Sequence, residues 1–105
     1  MEIGKVIKML IKKRGLTQVL VAERINKTPT ALSQIINGLY KPSDETLERL
    51  CEVLEIPLAA VYFLSITEDS VPAQNRALYR ALSPSMEKYL VDVFEVNIED
   101  LSLFK

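Results

Sequence analysis

One stretch, from Leu16 to Pro42, constrains the fold of this chain more than any other. Its sequence is LTQVLVAERINKTPTALSQIINGLYKP. The spacing of its apolar residues predicts two short helices, over residues 18–25 and 29–37, because residues three and four apart share one helix face. Only residues 26–28 separate the two helices, so the stretch predicts a helix pair joined by a tight turn.

The residues at the ends of these predicted helices suit their positions. Thr17 and Thr28 each precede a helix, where a hydroxyl oxygen accepts a hydrogen bond from a first-turn N–H. Pro29 occupies the first helical position, where its missing N–H costs nothing. Asn26 falls in the turn and tolerates a left-handed backbone, and Gly38 is placed to end the second helix.

The two predicted helices have one apolar face and one polar face. The residues expected to pack between the helices are apolar: Val21, Ala22, Ile25, Leu32 and Ile35. The second helix then presents short polar and amide side chains on its open side: Thr30, Ser33, Gln34 and Asn37. This spacing is that of a helix-turn-helix, whose second helix enters the major groove of DNA.

The region from about residue 3 to residue 65 resembles the lambdoid repressor and Cro-like (XRE-type) DNA-binding family. The residues that carry the resemblance are Leu16-Thr17-Gln18, Ala22, Thr28, Ser33, Ile35, Asn37-Gly38, Lys41-Pro42-Ser43, Thr46-Leu47, Leu50 and Leu54. The match extends over the whole region without a gap. It implies an all-α, five-helix lambda-repressor-like DNA-binding domain, followed here by a C-terminal helical extension.

The resemblance and the polar face together predict contacts with double-stranded DNA. The expected DNA-binding residues are Gln18, Lys27, Thr28, Thr30, Ser33, Gln34, Asn37 and Lys41. Gln18 aligns with a phosphate-binding glutamine of the family, and Gln34 suits adenine. Asn37 and Lys41 align with positions near the DNA backbone. Thr28 as a cap alone, and Asn37 as a helix end alone, are the competing interpretations, although both roles can coexist.

Some residues depart from the family pattern. Pro29 stands where a long polar base reader is common, and Lys27 replaces a frequently buried valine, so we expect its stem to pack while its amine reaches phosphate. Apolar residues replace polar ones at four further positions: Val19, Leu20, Ile36 and Leu39. Either these residues repack locally, or they form a surface for a partner protein.

Three further helices complete the predicted domain, over residues 2–14, 44–54 and 58–65. We therefore predict a helix-turn-helix domain over residues 1–66 and a linker with a helical dimerisation segment over 67–105. Residues 67–72 are polar and form the linker. A helix follows over 73–82, and Ser83 and Pro84 then suit the start of another helix.

The C-terminal segment carries apolar residues that the domain does not need. The predicted dimerisation residues are Met86, Tyr89, Leu90, Val93, Phe94, Ile98, Leu101 and Phe104. They either fold back on their own domain or pair with a second chain, and we expect a homodimer because one helix-turn-helix contacts too little DNA for tight binding.

The charge of the chain is divided unevenly. The net charge is −1, but residues 1–66 contain nine Lys/Arg and seven Asp/Glu, whereas residues 67–105 contain four and seven. The basic surplus therefore lies in the part expected to meet phosphates. The lysines of the first helix, Lys5, Lys8 and Lys12, are either a solvated face or phosphate contacts.

Several function classes are disfavoured by composition. The chain has no histidine, and its one cysteine, Cys51, lies on an apolar helix face, which favours a buried thiol over a redox sensor. No apolar run reaches membrane-spanning length, and lysines interrupt the N-terminal apolar residues, so we expect neither a membrane span nor a signal peptide. We expect no metal, no cofactor and no enzymatic activity, and a cytoplasmic location.

The sequence thus predicts a sequence-specific DNA-binding protein, a bacterial or phage transcriptional regulator. Two alternatives stay open, because a fold alone does not determine function. One is a protein-interaction module on the same fold. The other is an antitoxin-like regulator that binds both DNA and a partner protein.

Overall fold

The computed structural model describes residues 2–95, and every regular element in that range is helical. The six α-helices are α1 (Ile3–Lys13), α2 (Gln18–Arg24), α3 (Pro29–Ile36), α4 (Asp44–Leu54), α5 (Leu58–Leu64) and α6 (Arg76–Glu95). The all-α prediction is therefore confirmed, with helix ends within one residue of those expected for α1–α5. The chain divides into two compact units, residues 1–66 and 67–105. Over residues 2–95, no helix combines the length and apolar character needed to cross a membrane.

Four helices of the first unit end in the same way, with a left-handed residue just after the last turn. These residues are Gly15, Asn26, Gly38 and Glu55, with φ of 68°, 62°, 77° and 54°. After α3, the N–H of Gly38 bonds to the Ile35 carbonyl at 3.1 Å, and the N–H of Leu39 bonds to the Gln34 carbonyl at 2.9 Å. This Schellman pattern satisfies carbonyls that the helix leaves without partners. It also reverses the chain sharply, which packs short helices against one another.

The core of the first unit is formed by the apolar face of each helix. Its largest side chains below 2 % exposure are Val6, Ile7, Val21, Ile25, Leu32, Leu50, Leu54, Val61 and Leu64. Ala22 is also fully buried, where α2 and α3 approach each other. Cys51 is buried as expected, and burial raises the pKa of its thiol, with the Glu48 carboxylate adding to the effect. A protonated, buried thiol is inert, in agreement with a structural role.

Arg14 ties the end of α1 to the end of α4. Its Nε donates to the Leu54 carbonyl at 2.8 Å, and its Nη2 donates to the Glu55 carbonyl at 3.1 Å. These are carbonyls at a helix C-terminus, where a cation is favoured by the helix dipole. The guanidinium therefore stabilises the one left-handed helix end that lacks a glycine or asparagine.

The second unit begins with two short 3₁₀ turns, Glu68–Ser70 and Ala73–Asn75, which pack against α6. Arg80 of α6 donates from Nε to Glu68 Oε1 at 2.8 Å, and Arg76 Nε donates to the Val71 carbonyl at 3.1 Å. The hydrogen bond from Arg80 lowers the pKa of Glu68, with the positive charges of Arg80 and Arg76 adding to the effect. These bonds fold the predicted linker back along the helix.

The prediction of two separate helices around Ser83 is wrong, because α6 continues through Pro84. Ser83 does not cap a helix here; its Oγ donates to Glu87 Oε1 at 3.2 Å. A proline inside a helix removes one hydrogen bond and costs about 3 kcal/mol. The uninterrupted helix keeps the apolar residues before and after Pro84 on one side, with Pro84 itself about 160° from Leu82.

The continuous α6 extends the predicted dimerisation surface toward its N-terminus. Five large apolar side chains of α6 are exposed: Leu78, Leu82, Met86, Tyr89 and Val93. At 100° per residue they fall within an arc of about 80°, and we call them the α6 stripe. Leu90 and Phe94 are half-buried and lie on the side of α6 next to the α6 stripe. Ile98, Leu101 and Phe104 lie outside the described residues.

Candidate nucleic-acid interface

The N-terminal end of α3 is built by the Thr28 cap. Thr28 Oγ1 accepts a hydrogen bond from the Ala31 N–H at 3.1 Å, and Pro29 occupies the first turn. The capping role of Thr28 is therefore confirmed, and its hydroxyl proton is not used in that bond. Thr30 is exposed beside it. The end of α3 that would enter a groove first thus presents two hydroxyl groups to solvent.

Gln34 lies one turn further along α3, at the edge of an open recess. The recess has a volume of about 300 Å³ and is lined by Lys27, Ala31, Gln34, Ile35, Tyr40, Lys41, Ser43 and Thr46. Three predicted DNA-binding residues, Lys27, Gln34 and Lys41, are brought together here although they span fifteen positions of sequence. No carboxylate lines this recess. Two ammonium groups beside amide and hydroxyl groups suit a phosphate backbone.

The side chains of Ser33, directly before Gln34, and of Asn37, directly after α3, bond to each other. Asn37 Nδ2 donates to Ser33 Oγ at 3.3 Å. Asn37 is exposed and follows the last helical residue, so it also ends α3, as one interpretation held. The pair leaves the Ser33 hydroxyl proton and the Asn37 amide oxygen available, because the bond uses neither.

Gln18 is the first residue of α2, directly after the Thr17 cap, whose Oγ1 accepts from the Leu20 N–H at 3.1 Å. It is half-buried, as are Ser33 and Gln34. A second recess of about 490 Å³ lies between the end of α2 and the start of α3 and is lined by Val19, Glu23, Asn26, Lys27, Thr28 and Pro29. Glu23 makes this recess less suited to phosphate than the first one.

Lys27 is exposed and lines both recesses, so it does not occupy the buried position of the valine that it replaces. Of the four apolar departures, Val19 and Leu39 are 63 % and 71 % exposed, whereas Leu20 is half-buried and Ile36 is buried. Ile36 is therefore part of the core, because the end of α3 packs against α1. Of the four residues suggested as a surface for a partner protein, only Val19 and Leu39 are therefore strongly exposed.

Tyr40 is a candidate that the sequence reasoning missed. It is 61 % exposed and lines the recess with Gln34 and Lys41. Its N–H points to the Gln34 carbonyl at 3.4 Å, so the Schellman turn after α3 places it. The available signal was an aromatic residue beside a lysine in a polar loop, a combination that suits backbone contact.

Comparison with known proteins agrees with this geometry. A family model described as helix-turn-helix matches residues 7–61, which is more than half of the chain and includes α2, the turn and α3. The chain belongs to this helix-turn-helix family. The immunity repressor protein of Bacillus phage phi105 is 33 % identical to it over 81 residues. That match covers 77 % of this chain and 54 % of the phage protein, so the chain spans about half the length of that relative. No solved structure matches it significantly.

The matched residues include the stretch from Leu16 to Pro42 in which the sequence predicted the helix-turn-helix. The polar face of α3, the recess beside it and the loop that follows all fall within residues 7–61. Residues 67–95, which include α6, lie outside the matched region. In the part of the chain that the structure describes, no group of three His, Cys, Asp or Glu side chains is arranged to hold a metal ion.

Proposed function

We propose that this helix-turn-helix protein binds double-stranded DNA sequence-specifically and regulates transcription, with α3 in the major groove. The observation that carries the proposal is the exposed face of α3, which combines short hydroxyl and amide side chains with the carboxylate-free recess of Lys27 and Lys41. The hydroxyl and amide groups of such a face can form directed hydrogen bonds to base edges, and its lysines can contact the phosphates. The similarity to a phage immunity repressor supports a regulatory role.

The residues of the interface divide into two roles. Thr30 and Gln34 face the groove and read base edges, with Ser33 and Thr28 beside them; an amide such as Gln34 pairs well with adenine. Gln18, Lys27, Asn37 and Lys41 grip the phosphates on either side, and Tyr40 joins them. Base contacts specify sequence, whereas phosphate contacts set orientation and make binding sensitive to salt.

We further propose that two copies pair through α6. Among residues 67–94 no side chain is fully buried, and the α6 stripe leaves five large apolar side chains about half exposed. An isolated helix with an internal proline is marginal in water, so α6 gains stability when the stripe is covered. A second copy offers the same stripe, and symmetric pairing is the commonest oligomer arrangement. Two α3 helices would then reach half-sites one helical turn apart, roughly 34–36 Å.

Selection of binding sites from a random duplex pool tests this function with the full chain. We expect one sequence to be enriched, in two inverted half-sites, with an affinity that falls as salt rises. A single enriched half-site would retain DNA recognition but contradict the symmetric dimer. No enrichment, together with no binding to any duplex at low salt, would contradict DNA binding and favour a protein-interaction module.

A further inference from the structure

Gly4, the second residue of α1, lies unusually close to the end of α3. A Cβ atom placed on Gly4 would stand 2.7 Å from the Ile35 carbonyl oxygen and closer still to that of Ile36. Both neighbours are backbone atoms, which cannot rotate away as a side chain does. Separations below 3.0 Å are essentially never seen for a real Cβ, so any side chain at this position forces the helices apart.

The displacement would fall on α3 rather than on α1. Val6, Ile7 and Leu10 anchor α1 in the core with at most 4 % exposure, and α1 also packs against α4 and α5. α3 has eight residues and is held by α1 and α2. Restoring ordinary contact, which begins at 3.4 Å, moves the Ile35 carbonyl oxygen by about 0.7 Å and the Ile36 carbonyl oxygen by more. Binding constellations need their groups held within about 0.5 Å.

We propose that Gly4 is a positioning residue for base recognition, because its missing side chain sets how α3 lies on the domain. The inference rests on the proposed DNA-binding function. Gln34 immediately precedes the two residues whose carbonyls face Gly4, so it moves with them. Of the proposed phosphate contacts, Asn37 directly follows Ile36 and moves as well, whereas the two charged ones, Lys27 and Lys41, lie outside α3, in the turn and the loop that flank it. A side chain at residue 4 therefore disturbs base reading more than phosphate contact.

The test compares Gly4→Ala with Gly15→Ala in the full chain. Gly15 is the matched control, because a Cβ there meets nothing within 4 Å, although its φ of +68° makes alanine strained. Both variants lose stability, but only Gly4→Ala pushes on α3. Both are made on a Glu55→Gly background, which removes strain at another helix end and is expected to offset part of the stability that each variant loses. The DNA probes are the duplex selected by the unmodified protein and a random duplex of equal length.

For Gly4→Ala we expect the ratio of selected to random affinity to fall at least about fivefold, the smallest loss for one good base contact. The salt dependence and the affinity for random DNA should stay close to those of the background protein. Gly15→Ala should keep the ratio within about twofold despite a lower melting temperature. An unchanged ratio in Gly4→Ala, or an equal loss in both variants, would overturn the inference.

Amide chemical shifts provide a readout that needs no DNA. In Gly4→Ala, the backbone amides of residues 30–37 should move more than those of residues 44–54, and Gly15→Ala should not show this difference. Shifts confined to α1 would overturn the positioning role whatever the binding data show. If the unmodified chain enriches no duplex, the proposed function fails separately. The amide comparison then decides alone whether Gly4 sets the position of α3.

Discussion

Leu82→Gln should weaken association of the chain through the α6 stripe. Leu82 is 50 % exposed, so about half of its side chain remains to be buried by a partner. Full burial of a leucine is worth about 1.5–3 kcal/mol, which leaves roughly 0.8–1.5 kcal/mol for each copy. A symmetric pair loses this contribution twice, or about 1.5–3 kcal/mol, which corresponds to roughly a 10–150-fold higher dimer dissociation constant. Glutamine is a good helix former, so α6 itself should persist.

Sedimentation equilibrium over a range of protein concentrations measures this change. Ala77→Gln is the matched control, because it adds the same side chain at an exposed position about 140° around α6 from Leu82. We expect the control to associate like the unmodified chain and Leu82→Gln to shift toward monomer. A monomeric unmodified chain over the whole range, or equal association of the two variants, would refute a dimer through the stripe. A chain cut after Ile66 that still dimerises would place the interface elsewhere.

Three further predictions concern the first unit. Gln34→Ala should weaken binding to the selected duplex by about 1–3 kcal/mol and barely change binding to random DNA, whereas Lys41→Ala should weaken binding to both duplexes alike and reduce the salt slope by about one. Fluorescence anisotropy measures both variants, with the exposed Gln74→Ala as the control. An equal loss of binding to the two duplexes in Gln34→Ala would exclude base reading. Ala22→Leu should lower the free energy of unfolding by roughly 1–3 kcal/mol, because Ala22 is fully buried between α2 and α3; an unchanged melting temperature would contradict that packing. Glu55→Gly should raise the free energy of unfolding by about 0.5–1 kcal/mol in chemical denaturation, because glycine suits φ of 54°. The hydrogen bonds from Arg14 go to backbone carbonyls, so the substitution leaves their acceptors in place. A lower free energy of unfolding would show that the glutamate side chain stabilises the fold.

The helix-turn-helix was predictable because its signals are local. Thr17 and Thr28 cap the helices, Asn26 takes the left-handed turn, and Gly38 ends α3, all as the sequence predicted. Each of these roles involves residues at most five positions apart, and the physics of a cap or a tight turn depends on little else. The same logic explains why the helix ends of α1–α5 were predicted within one residue.

The misplaced break in α6 has an equally local origin. Ser83 followed by Pro84 matches the start of a helix, and a sequence pattern weighs that match without its surroundings. In the folded chain, Arg80 and Arg76 hold α6 to the preceding turns, and the helix continues through the proline. Leu78 and Leu82 were left out of the predicted dimerisation surface because the expected break at Ser83 separated them from the apolar residues that follow Pro84.

The sequence was sufficient to predict helices α1–α5, the turn between α2 and α3, and the polar face of α3, because periodicity and capping act over a few residues. The folded structure was needed to show that one recess is lined by Lys27, Gln34, Tyr40 and Lys41, since that depends on the path of the chain after α3. The packing of α3 against α1 likewise buries Ile36 and brings its carbonyl close to Gly4. Contacts between residues about thirty positions apart arise from how helices pack, and no local pattern encodes them.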